Sequence, residues 1–206
     1  MAKIEAFERF SDAYDAWFEE NADKYEAELA LIRRLLPASG AGGIEVGIGS
    51  GKFAVPFGIR TGVEPSREMA LKARLQGIEV IAGVAEHLPL IKGCFDFVLM
   101  VTTICFVDDL GATFAEAWRV LKPGGWFVVG FVDKESDLGR HYEAHRDQSR
   151  FYREATFFST REVMAHLEAA GFRIDRIAQT LIPGDKGGRV LDGFGQGAFV
   201  GLRGVK

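Results

Sequence analysis

Gly43-Ile-Glu-Val-Gly-Ile-Gly-Ser-Gly51 reads as a short buried strand running into a tight glycine turn, and a carboxylate, Glu64, stands at the end of the next strand. Gly47, Gly49 and Gly51 fall as G-x-G-x-G. A pyrophosphate-binding dinucleotide turn is G-x-G-x-x-G, and the position of its third glycine is Lys52 here, so the NAD fingerprint is missed. Glycine takes positive φ angles without a Cβ clash, which lets backbone approach a ligand closely. Turn and acid together place a ribose-bearing cofactor with a small charged tail at the carboxyl edge of an open α/β sheet. A glycine turn alone would serve any strand-to-helix connection, so the segments downstream carry the rest of the weight.

Those segments are Gly83-Val-Ala-Glu-His-Leu-Pro-Leu90, Phe95-Asp-Phe-Val-Leu-Met-Val101 and Trp118-Arg-Val-Leu-Lys-Pro-Gly-Gly-Trp-Phe-Val-Val129, in that order and at the spacing of βα units. With the glycine turn they resemble the class I S-adenosylmethionine-dependent methyltransferases, in particular the small-molecule branch that includes the ubiquinone and menaquinone biosynthesis type. The resemblance covers roughly residues 42 to 132, and the Arg119-to-Gly125 run is its most specific element.

At 206 residues, 48% of them apolar, the chain has the size of one α/β domain with some extra helix. A net charge of −4 provides no global field to attract nucleic acid, so the expected partner is a small molecule, which the resemblance implies is a methyl acceptor. No oligomeric state follows. Cys94 and Cys105 flank an apolar strand without metal-type spacing and are expected to be buried and reduced. The first residues carry charges where a signal peptide is apolar, and the stretch from Cys94 to Val107 is broken by Asp96 and too short to span a bilayer. A cytoplasmic location is the expectation.

Residues 7 to 36 set aromatic and aliphatic side chains at helical spacing, with a break near Asn21 and an end at Pro37. Strands are expected at 44–46, 61–63, 78–82, 95–101 and 126–132, and two more near 172–181 and 198–202. Helices are expected from 52 to 57, distorted by Pro56, from Pro65-Ser66 to Gln76, from Asp108 or Asp109 to Leu121, across much of 135–156, and from Ser159 or Thr160 to Gly171. Alternating strands and helices imply a parallel sheet with right-handed crossovers. The last two strands are joined only by a loop and should pair antiparallel. The expected architecture is a doubly wound, seven-stranded, mostly parallel Rossmann-like sheet forming a single domain. Its parts are an N-terminal helical cap (1–37), a cofactor-binding core (42–132), a substrate-side insertion (133–158) and a C-terminal helix with a strand pair (159–206).

Ligands of such sheets lie outside the carboxyl ends of the strands at the switch point, where Glu64 and the following Pro65 fall. A carboxylate there can accept hydrogen bonds from both ribose hydroxyls; a turn acid at a helix N-terminus is the plainer alternative. By the family pattern Glu45 helps orient the methionine end of the cofactor, though a buried acid bonded to backbone would fit as well. Ala85 and Glu86 lie where family members cradle adenine, but the acid usual before Ala-Glu is Val84 here, so the adenine amino group needs another partner. Val101 and Thr102 are placed to offer backbone carbonyls to the cofactor's ammonium, unless they are an ordinary strand end.

Methyl transfer from a sulfonium is an in-line displacement that chiefly requires alignment and exclusion of water. A base is needed only for a weakly acidic hydroxyl or a protonated amine. His141 or His145 could serve, although a solvated helix face is the plainer reading of both. His87 reads as a loop residue and His166 as a surface helix residue. Tyr14, Trp17, Phe106 and Tyr142 are the substrate-side candidates, with core packing the plainer role for Tyr14 and Trp17. Enzymes that methylate base amino groups resemble one another in an Asn- or Asp-Pro-Pro-aromatic segment, whereas this chain reads Val101-Thr-Thr-Ile-Cys-Phe106. No metal site is indicated. The competing classes are a nicotinamide-dependent oxidoreductase and a non-catalytic or RNA-directed protein that binds the same cofactor.

Overall fold

Period-two burial along the central strands is what makes the sheet a two-faced layer. In β4 (Phe95–Val101), Phe97, Leu99 and Val101 pack into one apolar cluster, while Val98 and Met100 pack into the other. The computed structural model describes residues 3–37, 41–185 and 187–206. The first two residues of the expected cap lie outside that set.

The remaining strands are β1 (Gly43–Val46), β2 (Thr61–Glu64), β3 (Glu79–Ala82), β5 (Leu121–Val132), β6 (Arg173–Thr180), β7 (Leu191–Asp192) and β8 (Phe199–Val205). Their order is β3-β2-β1-β4-β5-β8-β6-β7. The first five run parallel, and β8 lies antiparallel to both β5 and β6. Eight strands replace the expected seven. The addition, β7, is a two-residue edge strand whose Leu191 and Asp192 pair with Gln179 and Ala178. Two residues show no alternation, so the sequence pattern does not announce them.

Helices α1 (Glu5–Arg9) and α2 (Ser11–Glu20) form a cap, and α3 (Ala22–Leu35) packs on the sheet face against β5, β6 and β8. Along the chain follow α4 (Ala54–Phe57), α5 (Arg67–Leu75), α6 (Leu110–Val120), α7 (Asp137–Ala144) and α8 (Thr160–Ala169). The starts of α5, α6 and α8 are fixed by side-chain caps. Ser66 accepts the Met69 N–H, Asp109 rather than Asp108 caps α6 through the Ala112 N–H at 2.9 Å, and Ser159 forms a reciprocal capping box with Glu162.

Three expectations shift. β5 begins at Leu121, opposite Phe95, and its pairing slips across Lys122–Gly125 before Trp126 meets Phe97; the Pro-Gly-Gly run interrupts the ladder instead of preceding it. The 135–156 helix breaks after Ala144 into a short 3-10 turn at Arg146–Gln148 and further turns. Cys94 is exposed, because it sits in the turn ahead of β4 with its thiol toward the Ile91 carbonyl, and Cys105 is half-buried. Among the described residues, no helix is long and apolar enough to cross a membrane and no His, Cys, Asp and Glu cluster could hold a metal ion.

Candidate active site

The switch point lies where β1 has β2 on one side and β4 on the other, and the glycine turn opens there. Gly47 and Gly49 adopt φ of +70° and +57°. Gly47 has no room for a side chain, since a Cβ would stand 2.3 Å from Thr103 Cγ2. A Cβ on Gly49 would lie between Met69 and Tyr14, the first on α5 and the second on the cap. The turn is thus enclosed by its own neighbours, and its Gly49 N–H is aimed at Glu64.

Glu64 is 7% exposed. Its Oε2 accepts the Gly49 N–H at 2.8 Å and its Oε1 the Ser66 N–H at 2.9 Å. Each carboxylate oxygen has a further lone pair, and the residue faces a cavity of about 630 Å³. Burial raises its pKa to about 7 against the pull of the two N–H donors, and the charge of Glu8 adds to the rise. Glu45 is 1% exposed, and its Oε2 has no hydrogen-bond partner. Burial and then the nearby Glu64 hold it well above the usual carboxylate range, with the Ala54 backbone N–H working the other way.

Opposite the turn, β4 ends in a strained residue: Thr102 has φ +51°, uncommon for a β-branched side chain. The Thr103 hydroxyl donates to the carbonyls of Val101 at 3.0 Å and Gly47 at 3.3 Å, so it ties the end of β4 to the glycine turn. Below, Val84 and His87 form an isolated bridge, and Glu86 accepts the Asp108 N–H at 2.6 Å, which anchors the loop after β3 to the start of α6.

The cap closes the top. Asp15 on α2 accepts from the Ser50 hydroxyl at 2.5 Å and pairs with Lys72 of α5 at 3.1 Å. Glu8 of α1 accepts the Arg67 N–H at the start of α5. An aromatic wall follows: Phe7 meets Phe106 edge-on with ring centroids 4.9 Å apart, Phe106 stacks on Tyr152, and Tyr152 stacks on Tyr142.

One cavity therefore gathers Gly47, Gly49, Glu64, Pro65, Ala85, Glu86, Val101, Thr102, Tyr14, Trp17, Phe106 and Tyr142. Glu45 and Gly51 sit behind the turn; a Cβ on Gly51, at φ +87°, would stand 2.6 Å from Ile78 Cδ1. His141 is exposed and outside the cavity lining, its ring packed on His145 at 4.3 Å. His87 is exposed, whereas His166 is half-buried against Phe114 and Phe158. A residue outside the expected set also lines the cavity: Glu28 on α3, 4% exposed. Its signal was an acid sharing the i, i+3, i+4, i+7 face of Leu31, Ile32 and Leu35, where helical period calls for an apolar side chain.

A mostly parallel sheet with an antiparallel last strand, a glycine turn on its first strand and a buried acid ending its second define the methyltransferase class of α/β enzymes. A family model described as a methyltransferase domain matches residues 44–129. The chain is 38% identical to an uncharacterized protein of Methanocaldococcus jannaschii, over 98% of this chain and 100% of that one. It is 34% identical to the malonyl-[acyl-carrier protein] O-methyltransferase of Geobacter sulfurreducens, over 82% of this chain and 68% of that one. The crystal structure of an S-adenosylmethionine-dependent methyltransferase of Thermotoga maritima, described as a possible histamine N-methyltransferase, superimposes with a TM-score of 0.94 at 47% identity and covers 98% of this chain and 99% of its own. The chain belongs to the class I S-adenosylmethionine-dependent methyltransferases, and S-adenosylmethionine is its cofactor.

Proposed function

We propose that the protein methylates a small molecule held against the aromatic wall of the cavity. The observation that carries this reading is the cavity itself: about 630 Å³, continuous from Glu64 to Tyr142 and roofed by α1 and α2, a volume suited to a nucleoside cofactor and a small acceptor together. Glu64 is the ribose acceptor, with two oxygens already oriented by backbone donors. Gly47 and Gly49 let the turn approach the cofactor, Pro65 follows the ribose acid, Ala85 and Glu86 flank the adenine, and the Val101 and Thr102 carbonyls face the ammonium. Glu45 supplies negative charge behind the turn. The bound cofactor provides an activated methyl group on a positively charged sulfur.

This chain's own residues align and exclude. Tyr14, Trp17, Phe106 and Tyr142 give the acceptor a flat apolar bed, and the roof keeps water from the transfer line. His141 is left without a role in proton transfer because it lies outside the cavity. The relatives do not choose the acceptor: one is named for a malonyl-[acyl-carrier protein] oxygen and another as a possible histamine nitrogen methyltransferase. Incubating the protein with methyl-labelled S-adenosylmethionine and separate small-molecule and RNA fractions of a cell extract should label the small-molecule fraction. Label confined to RNA would refute the proposed acceptor class.

A further inference from the structure

Glu28 faces into the protein from α3, and a carboxylate in that position normally needs a partner to offset its lost hydration. Among the described residues none gives it a hydrogen bond or an ion pair; Lys24, one turn earlier, is exposed and acts only through its field. The described carboxylate oxygen that is both sealed and unpaired belongs to Glu45, so the oxygens of Glu28 open onto the cavity. Tyr14 of α2, Tyr142 of α7 and Tyr152 line the same cavity as Glu28, within reach of its field. Trp17 and Phe18 complete the lining on the cap side.

An unpaired carboxylate among aromatic faces is the chemistry that recognises a cation: the acid supplies a charged hydrogen-bond acceptor and the rings supply their negative faces. Once Glu28 is ionised, above about pH 8, an anionic acceptor is repelled and an alcohol leaves the buried charge unneutralised. We propose that the acceptor is a small molecule bearing a protonatable amine, and that Glu28 binds its nitrogen and takes the proton that nitrogen must lose. The proposal rests on the methyl-transfer reading above.

The step balances without any further reactant. The ammonium proton passes to the Glu28 carboxylate, and the freed nitrogen lone pair forms the new bond to the methyl carbon. The carbon–sulfur bond breaks with its electron pair left on sulfur, giving a methylated ammonium ion, a protonated Glu28 and a neutral thioether. Burial favours the proton-accepting role, since it lifts the Glu28 carboxyl to about 8, far above an exposed glutamate.

The test is calorimetric titration, at a pH above the value of about 8 at which Glu28 ionises, of protein saturated with S-adenosylhomocysteine, using three probes of matched shape: phenethylamine, phenethyl alcohol and hydrocinnamate. The amine should bind, with the alcohol and the acid weaker by about tenfold or more. Glu28→Gln should weaken amine binding by on the order of 100-fold and leave S-adenosylhomocysteine affinity unchanged, which also shows that the variant is folded. A wild-type protein that holds S-adenosylhomocysteine but takes up none of the probes, or favours the alcohol or the acid, overturns the amine assignment. So does a Glu28→Gln protein with undiminished amine affinity. Failure of the wild type to bind S-adenosylhomocysteine overturns the methyl-transfer reading instead, and this proposal with it.

Discussion

Glu64 is held by two backbone donors before any ligand arrives, so its side chain has little conformational freedom left to lose on binding. Glu64→Ala should weaken S-adenosylmethionine binding by about 1.5 to 3 kcal/mol, the range for hydrogen bonds to a charged group. Isothermal titration of the folded variant is the check, and an unchanged Kd removes the ribose role. This residue was legible because position alone announces it: an acid at a strand end, one strand after a glycine turn. Glu28 was not, because its importance depends on which residues α3 packs against, and helical period alone reads it as an irregularity in an apolar face. His141 shows the reverse case. A histidine beside the cavity was attractive as a base, but its place on α7 sends its ring outward to His145.

At the scale of elements, the latch between the cap and the core is the feature most open to test. Asp15 joins α2 to Ser50 in the glycine turn and to Lys72 on α5, so one carboxylate spans three segments. Asp15→Ala should lower the free energy of opening α2 by about 1.5 kcal/mol, the lower end of the range for a hydrogen bond to a charged group. Amide hydrogen exchange across Ser11–Glu20 should then quicken by about tenfold, while the β4 and β5 amides keep their protection. Equal exchange in variant and wild type would show that the latch bears no load. Elements with strong period were readable from sequence: β4 by its alternation on two apolar faces, α6 and α8 by their caps. β7 and the slipped start of β5 were not, since each owes its existence to a neighbouring strand's open edge more than to its own residues.

For the molecule as a whole, the buried acids set how stability depends on pH. Burial raises Glu28 to about 8 and Glu64 to about 7, both above the 4.5 of an unfolded glutamate. Between pH 4.5 and those values the folded state binds more protons than the unfolded chain, so stability falls as pH rises. Each such group costs up to about 1.4 kcal/mol per pH unit inside its window. Below that range the sign reverses. The Lys134 ammonium beside Glu162 holds its carboxyl at about 2, and the stability this gives is lost on acidification. The cofactor-free protein should therefore have its highest Tm near pH 5 and a declining Tm towards about pH 9, with a shallower decline in Glu28→Gln. Differential scanning calorimetry across that range tests it, and a flat or rising profile would mean that the buried acids are already ionised at low pH.

The topology also has a bearing on the order in which the molecule can be completed. β8 follows every other strand in the chain, yet it lies in the interior of the sheet between β5 and β6, hydrogen-bonded to both. A ribosome therefore delivers the strand that joins β6 and β7 to the other five after all of them, and until it arrives β5 and β6 each present a bare edge to the surroundings. Lys206 seals the junction by donating to the Trp118 and Leu121 carbonyls. Loss of these residues would part β6 and β7 from the five parallel strands, where loss of β7 would only trim the rim.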